Sequence, residues 1–150
     1  MNDRLNVRRA TLDDLDVVAP LFDRYRQFYD KHEAAASQAF IAQRLQRDES
    51  VVLLATLEDV AAGFTQLYPS FSSVRAARVW VLNDLYVEAF ARRHGVAQAL
   101  LAAAAGFARG DGAVELVLET MPDNQPARTL YEAHGWQRYD DTLRYRLPLA

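Results

Sequence analysis

The chain has 150 residues, 51% of them hydrophobic and 25% charged, and its net charge is −3 at neutral pH. These are globular proportions, and they exclude a disordered tail, a collagen-like chain and a coiled coil. The absence of cysteine excludes disulfides, thiolate zinc sites, iron–sulfur clusters and a cysteine nucleophile. A mildly acidic chain is a poor nucleic-acid binder, because phosphate contacts need clustered cations. We predict one soluble, cytoplasmic domain over residues 1–150, with no signal peptide and no membrane or nucleic-acid partner.

The first part of the chain is predicted to form one strand and two helices. Apolar and polar residues alternate around Leu5, which indicates a short half-buried strand. A capping box that begins at Thr11 opens a helix with an apolar face that extends to about Asp30. Ser37 is predicted to cap a second helix, because a serine hydroxyl accepts a free N–H of the first helical turn.

The middle of the chain is predicted to form a β-hairpin and a loop. Val51 to Ala55 and Ala61 to Tyr68 are apolar runs separated by a polar turn. Pro69 is expected to end the second strand, so that Ser70 to Ser73 form a loop with Phe71 at its tip.

The remainder alternates strands and helices. Val79 to Val87 predicts a strand, a helix follows Gly95, and Ala113 to Thr120 predicts the next strand. A further helix begins at Pro126, and two short strands are expected within Trp136 to Leu149. The order is strand, two helices, three strands, helix, strand, helix and two strands, which is an α/β protein with mixed strand directions.

The segment from Leu85 to Leu101 carries the clearest chemical signal. A strand runs into a turn with two arginines, and Gly95 stands at the first turn of the next helix. The free N–H groups and positive dipole end of that helix are suited to an anion, and glycine lets a phosphate approach the backbone. The alternative is a plain strand-to-helix turn with two solvated arginines. Neither a GxGxxG nor a Walker sequence is present.

Two motifs in this half match those of a known family. One matches the signature Arg/Gln-x-x-Gly-x-Gly/Ala, with alanine at its last position: Arg92-Arg93-His94-Gly95-Val96-Ala97. The other matches Asn-x-x-Ala-x-x-Leu-Tyr-x-x-x-Gly-Phe, with tryptophan for phenylalanine: Asn124, Ala127, Leu130, Tyr131, Gly135 and Trp136. With these motifs and its order of elements, the chain resembles the GCN5-related N-acetyltransferase (GNAT) superfamily from about Leu5 to Leu147.

The resemblance implies a fold and a coenzyme. The implied fold is a mixed, mostly antiparallel central sheet of about seven strands flanked by about four helices. The implied co-substrate is acetyl-CoA, bound where the strands ending at Val87 and Thr120 splay apart, with no metal. The pyrophosphate would lie on the loop Arg92, Arg93, His94, Gly95, Val96 and Ala97, and the pantetheine arm would pair with the backbone of Leu85, Tyr86 and Val87.

Two residues of the second motif also receive roles from the resemblance. Asn124 would contact the pantetheine arm, and its alternative role is to cap the helix at Pro126. The two roles are compatible. Tyr131 would be the general acid that protonates the departing thiolate, and a phenol with a pKa near 10 suits proton donation. The alternative for Tyr131 is a half-buried aromatic side chain whose hydroxyl finds a partner.

The general base is less narrowly defined. The segment from Leu82 to Val87 resembles the Hpa2-like and diamine acetyltransferase branches, and the diamine acetyltransferase branch has an acidic residue where this chain has Asn83. Asparagine cannot accept a proton, so the candidates are Asp84, Glu119 or a chain of water molecules. The alternative for Asp84 is a hydrogen bond or an ion pair that shapes a bulge in the strand.

The resemblance to these branches implies that the acceptor is a primary amine that carries positive charge, such as a polyamine or a basic protein side chain, and an aminoglycoside would suit the same charge. The net charge and the acidic candidates favour a cation. Five aromatic residues are candidates for the pocket wall, with core packing as the alternative for each: Tyr25, Phe28, Tyr29, Tyr68 and Phe71. The histidines His32, His94 and His134 are scattered, which argues against a metal site.

The predicted function is therefore direct transfer of an acetyl group from acetyl-CoA to an amine. The alternative is a sensor domain that binds CoA and transfers nothing. Thr142 to Leu147 alternates as an edge strand does, so a homodimer is also expected.

Overall fold

The computed structural model describes residues 4–31 and 33–150. They form two compact units, of which the first ends at Glu119 and the second is Thr120–Ala150. The first unit contains a five-stranded sheet and three α-helices, and the second contains one α-helix. The predicted mixed α/β architecture with four helices is confirmed.

The sheet follows the order of the chain. Its strands are β1 (Leu5–Arg9), β2 (Val51–Leu57), β3 (Val60–Ser72), β4 (Ala77–Val87) and β5 (Glu115–Val117). The pairs β1–β2, β2–β3 and β3–β4 are antiparallel, whereas β4 and β5 are parallel. The sheet is therefore mixed and mostly antiparallel, as expected.

The expectation of about seven strands is wrong, because the sheet has five. The strand predicted over Ala113 to Thr120 is reduced to the three residues of β5, which pair with Val79 to Val81 of β4. The described structure assigns no strand within Trp136 to Leu149. Alternating residues favour an extended chain, but a strand also needs a partner ladder, and short alternating segments do not supply one.

The four helices are α1 (Leu15–Gln27), α2 (Ala34–Gln46), α3 (Val96–Gly110) and α4 (Gln125–Ala133). The predicted capping box is confirmed, since the Asp14 carboxylate accepts the Thr11 N–H at 2.8 Å. A short 3-10 turn at Leu12–Asp14 separates this cap from α1.

The expected role of Ser37 is wrong. Helix α2 begins at Ala34, so Ser37 is a buried residue inside it. Its hydroxyl donates to Asp23 of α1 at 2.6 Å and accepts from Arg26 at 2.9 Å. The hydroxyl therefore ties two helices together.

The expectations for Pro69 and the following loop are also wrong. Strand β3 continues through Pro69, which lies opposite Trp80, and Phe71 lies opposite Arg78. Strand β2 pairs with β3 only as far as Leu67, so one edge of β3 is open at Pro69, where a missing N–H is tolerated. The hairpin turns three residues later than expected, at Ser73–Ala76.

Helices α1 and α2 bury their apolar faces against one face of the sheet. The core cluster joins Val18, Leu21 and Phe22 of α1, Ile41 of α2, and Val52, Leu54, Phe64 and Tyr86 of the strands. Side chains alternate between the faces of a strand, so residues two positions from Phe64 and Tyr86 belong to this same face. Those residues are Gln66 and Asp84, and α1 therefore brings its side chains toward them.

Candidate active site

A β-bulge in β4 places Asp84 on this face. Gln66 lies opposite Asp84, while the next residue, Leu67, lies opposite Leu82. Asn83 is therefore the extra residue of the bulge, and it is exposed, whereas Asp84 is only 4% exposed. A bulge re-aims the side chains beside it and often occurs at an active site. The bulge and the hydrogen bonds of Asp84 agree with the alternative role given for this residue, which is to shape the strand.

The carboxyl group of Asp84 is surrounded by hydrogen-bond donors. Gln66 Nε2 donates to Oδ2 at 2.8 Å, and Asn83 Nδ2 donates to Oδ1 at 3.1 Å. The Tyr25 hydroxyl of α1 is a third donor. Burial raises the pKa of Asp84 above its ordinary value, and the three donors oppose that rise by favouring the charged form. The result is a carboxylate with an increased affinity for a proton.

Tyrosine hydroxyl groups from two elements lie around this carboxyl. Burial and the negative charge of Asp84 raise the pKa of Tyr25, and they raise the pKa of Tyr68 in β3 to about 12. Tyr29 contacts Tyr25 edge to face, with ring centroids 5.4 Å apart. Two of the five aromatic candidates, Tyr25 and Tyr68, thus lie near Asp84 and remain protonated at neutral pH, and Tyr29 packs against Tyr25.

The other two aromatic candidates lie elsewhere. Phe28 packs beside Tyr86, with ring centroids 6.0 Å apart. Phe71 lies near the tip of the β3–β4 hairpin, with the Arg78 guanidinium 4.5 Å from its ring centre. Glu119, the second candidate base, follows β5 by two residues and ends the first unit.

Beyond the bulge, the described structure has no strand beside the outer edge of β4. Strand β5 pairs only with Val79 to Val81, so the outer edge from Leu82 to Val87 has no strand partner in the sheet. The Glu88 N–H donates to Ala62 of β3 at 2.8 Å, and backbone groups alternate in an antiparallel ladder. The backbone N–H and C=O groups of Tyr86 therefore point toward β3. Those of Leu85 and Val87 point outward. An extended ligand chain can pair with such an edge.

The loop after β4 leads directly into the start of α3. Arg93 and Gly95 have positive φ angles of 65° and 80°, and α3 begins at Val96. Gly95 is the N-cap and supplies no side-chain hydrogen bond, so the amides of Val96 and Ala97 have no side-chain cap. The loop therefore places the positive end of a helix, without a side-chain cap, after two arginines, which is suitable for an anion.

The charged side chains of this loop are exposed. Arg92, Arg93 and His94 all lie at the surface. Arg92 Nε donates to the outward-facing carbonyl of Val87 at 3.3 Å, and its guanidinium lies 6.0 Å from the centre of the Phe28 ring. The positive charge of Arg92 is thus held at the junction of the strand edge and the loop.

Several contributors to this region were not predicted from the sequence. Gln66 is an isolated amide within an apolar run, which is a detectable signal, whereas its buried partner Ser50 carried none. Glu88 accepts a hydrogen bond from the Tyr86 hydroxyl at 2.9 Å and forms an ion pair with Arg24 of α1. Burial and Glu88 raise the pKa of Tyr86. These contacts tie α1 to the start of the loop.

The second unit contains the other motif. The Asn124 side chain accepts the Ala127 N–H at 3.3 Å, so it caps α4 as its alternative role predicted. Tyr131 lies near the end of α4, with its ring centroid 6.0 Å from that of Trp136. Gly135 follows the helix with a φ of 90°, a conformation that favours glycine.

Among the residues that the structure describes, no three histidine, cysteine or acidic side chains come together as a metal site. His32 lies outside those residues. No helix within 4–31 and 33–150 is long and apolar enough to span a bilayer.

Comparison with known proteins identifies the family. The model of the acetyltransferase (GNAT) family matches residues 17–136. The chain belongs to this family and is an N-acetyltransferase.

Particular relatives agree with this assignment. An uncharacterized N-acetyltransferase of Bacillus subtilis, YhfO, is 42% identical over 144 residues, which are 95% of this chain and 97% of that protein. The crystal structure of a probable acetyltransferase has a TM-score of 0.91 and 44% identity, and covers 97% of this chain and 98% of its own. The aminoglycoside N-acetyltransferase AAC(6')-Iy in complex with CoA has a TM-score of 0.81 and 25% identity, over 95% and 94% of the two chains.

Proposed function

We propose that this enzyme transfers an acetyl group directly from acetyl-CoA to a cationic primary amine, with Asp84 as the proton acceptor. The observation that supports this proposal is the buried carboxylate of Asp84, held at a strand bulge and surrounded by tyrosine hydroxyls. The absence of cysteine favours a ternary complex over a cysteinyl acyl-enzyme.

The residues of the first unit fit the coenzyme at two places. The outward-facing backbone of Leu85 and Val87, with Tyr86 between them, suits the amide groups of a pantetheine arm. The loop from Arg92 to Ala97, which includes Arg93, His94, Gly95 and Val96, offers free N–H groups and positive charge to a pyrophosphate. In the second unit, Asn124 is the proposed contact of the pantetheine arm. Acetyl-CoA, when bound, supplies an acetyl group activated as a thioester.

The proposed proton transfers begin at the amine. An amine of lysine type is neutral in only about one molecule in 2,500 at pH 7, so a base must remove its proton before it can act as a nucleophile. Asp84 is suited to this step, because burial raises its affinity for the proton. Glu119 or a water molecule is the alternative base. Tyr131 is the proposed acid, whose hydroxyl gives a proton to the departing sulfur.

The proposed acceptor class follows from the surroundings of Asp84. A carboxylate with tyrosine rings beside it attracts a cation through charge and through the ring faces. The aminoglycoside acetyltransferase relatives support a small-molecule amine. A polyamine or a basic protein side chain, as in the diamine acetyltransferase branch, has the same charge and is included in the proposal.

The alternative function is a CoA-binding sensor that transfers no acetyl group. Incubation with acetyl-CoA and a panel of amines separates the two functions, since a sensor binds acetyl-CoA but produces no free CoA.

We also propose a homodimer in the cytoplasm. A sedimentation coefficient of a monomer at micromolar concentration contradicts the dimer.

The experiment that tests the acceptor class is a screen of amines at two salt concentrations, in which the release of free CoA measures the reaction. A polyamine or another polycation is expected to give the highest kcat/KM and to lose activity as salt rises, because exposed charges are screened within about 8–10 Å. A neutral or anionic best acceptor that shows no response to salt contradicts the cationic acceptor.

A further inference from the structure

Gln66 is an amide with no access to solvent. Its exposed fraction is 0%, and it lies in the middle of β3 between the buried residues Thr65 and Leu67. Burial of an amide costs free energy unless both of its ends are hydrogen-bonded. An apolar residue would fill this position without that cost, so the contacts of the amide are informative.

Both ends of the Gln66 amide have partners. The Ser50 hydroxyl donates to Gln66 Oε1 at 2.8 Å, and Gln66 Nε2 donates to Asp84 Oδ2 at 2.8 Å. Ser50 is itself buried, at 4% exposure. An ionised carboxylate only accepts hydrogen bonds, so the NH₂ end of the amide faces Asp84 and its oxygen faces the Ser50 hydroxyl, which donates to it. The three side chains form a line from the start of β2 to the bulge of β4.

Other groups face the Asp84 carboxyl from every element packed around it. Tyr25 reaches it from α1, Asn83 from its own strand and Tyr68 from β3. The positive charge of Arg44 of α2 opposes the rise in the pKa of Tyr68. Asn83 is exposed, and the Tyr25 hydroxyl also takes part in a hydrogen bond with Tyr29. The Gln66 amide, in contrast, is held by a hydrogen bond at each end. Gln66 is thus the most constrained donor to this carboxylate.

We propose that Gln66, oriented by Ser50, is a positioning residue that holds the Asp84 carboxylate at the bulge in its ionised form and directs its second oxygen toward the amine. This inference rests on the proposed role of Asp84 as the proton acceptor. A donor that points at a carboxylate stabilises the charged form, so loss of the donor favours the protonated and inactive form.

The test uses Gln66→Met, which keeps an unbranched side chain of similar size and removes both polar ends. We expect kcat to fall about tenfold with an unchanged KM for acetyl-CoA. We also expect the acid limb of the pH profile of kcat/KM to move about one unit to higher pH. NMR titration of the Asp84 carboxyl is expected to show a pKa increase of the same size.

Two further variants complete the test. Ser50→Ala leaves the amide free to turn, and we expect a smaller shift of the acid limb in the same direction. It also tests the proposal if Gln66→Met does not fold. The matched control is Trp80→Phe, which removes one hydrogen bond, from Nε1 to Asp111, on the same strand as Asp84 and leaves the contacts of Asp84 intact. We expect the acid limb of this control to remain at its original pH.

The outcomes distinguish this inference from the proposed function. An unchanged Asp84 pKa or an unchanged acid limb in both Gln66→Met and Ser50→Ala overturns the positioning role. Transfer of an acetyl group to an amine by the unaltered enzyme would still support the proposed function in that case. If no amine accepts an acetyl group from the unaltered enzyme, the proposed function fails and the positioning role fails with it.

Discussion

Asp14 and Asp84 show how two aspartates in one chain acquire opposite proton affinities. At Asp14 the Arg8 guanidinium and the Thr11 N–H stabilise the charged form, and they lower the pKa from 3.8 to about 2. At Asp84 burial dominates and raises the pKa. A lowered pKa is typical of a carboxylate that stabilises the fold, whereas a raised pKa is typical of a group that can accept a proton during a reaction.

These shifts predict opposite effects of pH on stability. The raised pKa of Asp84 contributes stability that is complete below its unfolded pKa near 3.8 and is lost as pH rises through the folded pKa. We therefore expect the stability of the unaltered protein relative to Asp84→Asn to decrease as pH rises above about 3.8. Urea unfolding at a series of pH values measures this difference.

Asp14→Asn provides the control of opposite sign. The contribution of Asp14 is present above pH 3.8 and is lost as pH falls through about 2. Its size is about 1 kcal/mol, since its partner Arg8 is half-exposed and the pair is screened by water. A stability difference for Asp84→Asn that does not change with pH contradicts the raised pKa.

At the scale of elements, the close approach of β3 and β4 depends on Gly63. A Cβ atom at this position would lie 2.4 Å from the backbone oxygen of Tyr86 and 3.2 Å from the Cα of Val87. Both are backbone atoms, so the two strands would have to separate. The segment that would move is the edge proposed to bind the pantetheine arm.

We expect Gly63→Ala to lower the free energy of unfolding by about 1–3 kcal/mol and to weaken CoA binding. The control is Gly106→Ala in α3, where nothing lies within 4 Å of the added Cβ. Alanine favours a helix over glycine, so this variant is expected to gain about 0.5–1 kcal/mol. Chemical denaturation measures both values, and equal stability of the two variants contradicts the close approach.

Elements that are determined locally were predictable from the sequence. The capping box at Thr11, the β2–β3 hairpin and the glycine at the start of α3 all depend on residues near one another in the chain. Elements that depend on distant partners were not. The length of β5 is set by its pairing with β4, and β3 continues past Pro69 because β4 pairs with it there.

The same distinction applies to the candidate site. Asp84 could be named from its place in a motif-bearing strand, but its partners come from α1, from β3 and, through Gln66, from the start of β2. No spacing in the sequence connects Ser50 with Gln66 and Asp84. The bulge that exposes Asn83 and buries Asp84 also depends on the register of β3 against β4, which the pattern of residues alone does not give.

For the whole molecule, binding of CoA is expected to be visible as thermal stabilisation. A ligand that binds only the folded state at 100 times its Kd adds about 2.7 kcal/mol to the free energy of unfolding. For a chain of 150 residues this corresponds to a rise in Tm of about 5–10 °C. Differential scanning calorimetry with and without CoA measures the shift.

A pair of glycine variants connects this shift to the loop. Gly95 and Gly112 have φ angles of 80° and 79°, so alanine at either position costs about 1 kcal/mol of backbone strain. Only Gly95 lies in the proposed pyrophosphate loop, whereas Gly112 follows the other end of α3. We therefore expect similar Tm values for the two variants without CoA and a smaller shift with CoA for Gly95→Ala alone. An equal shift in both variants means that the pyrophosphate does not lie on this loop, because a Cβ at Gly95 would then cost the ligand nothing.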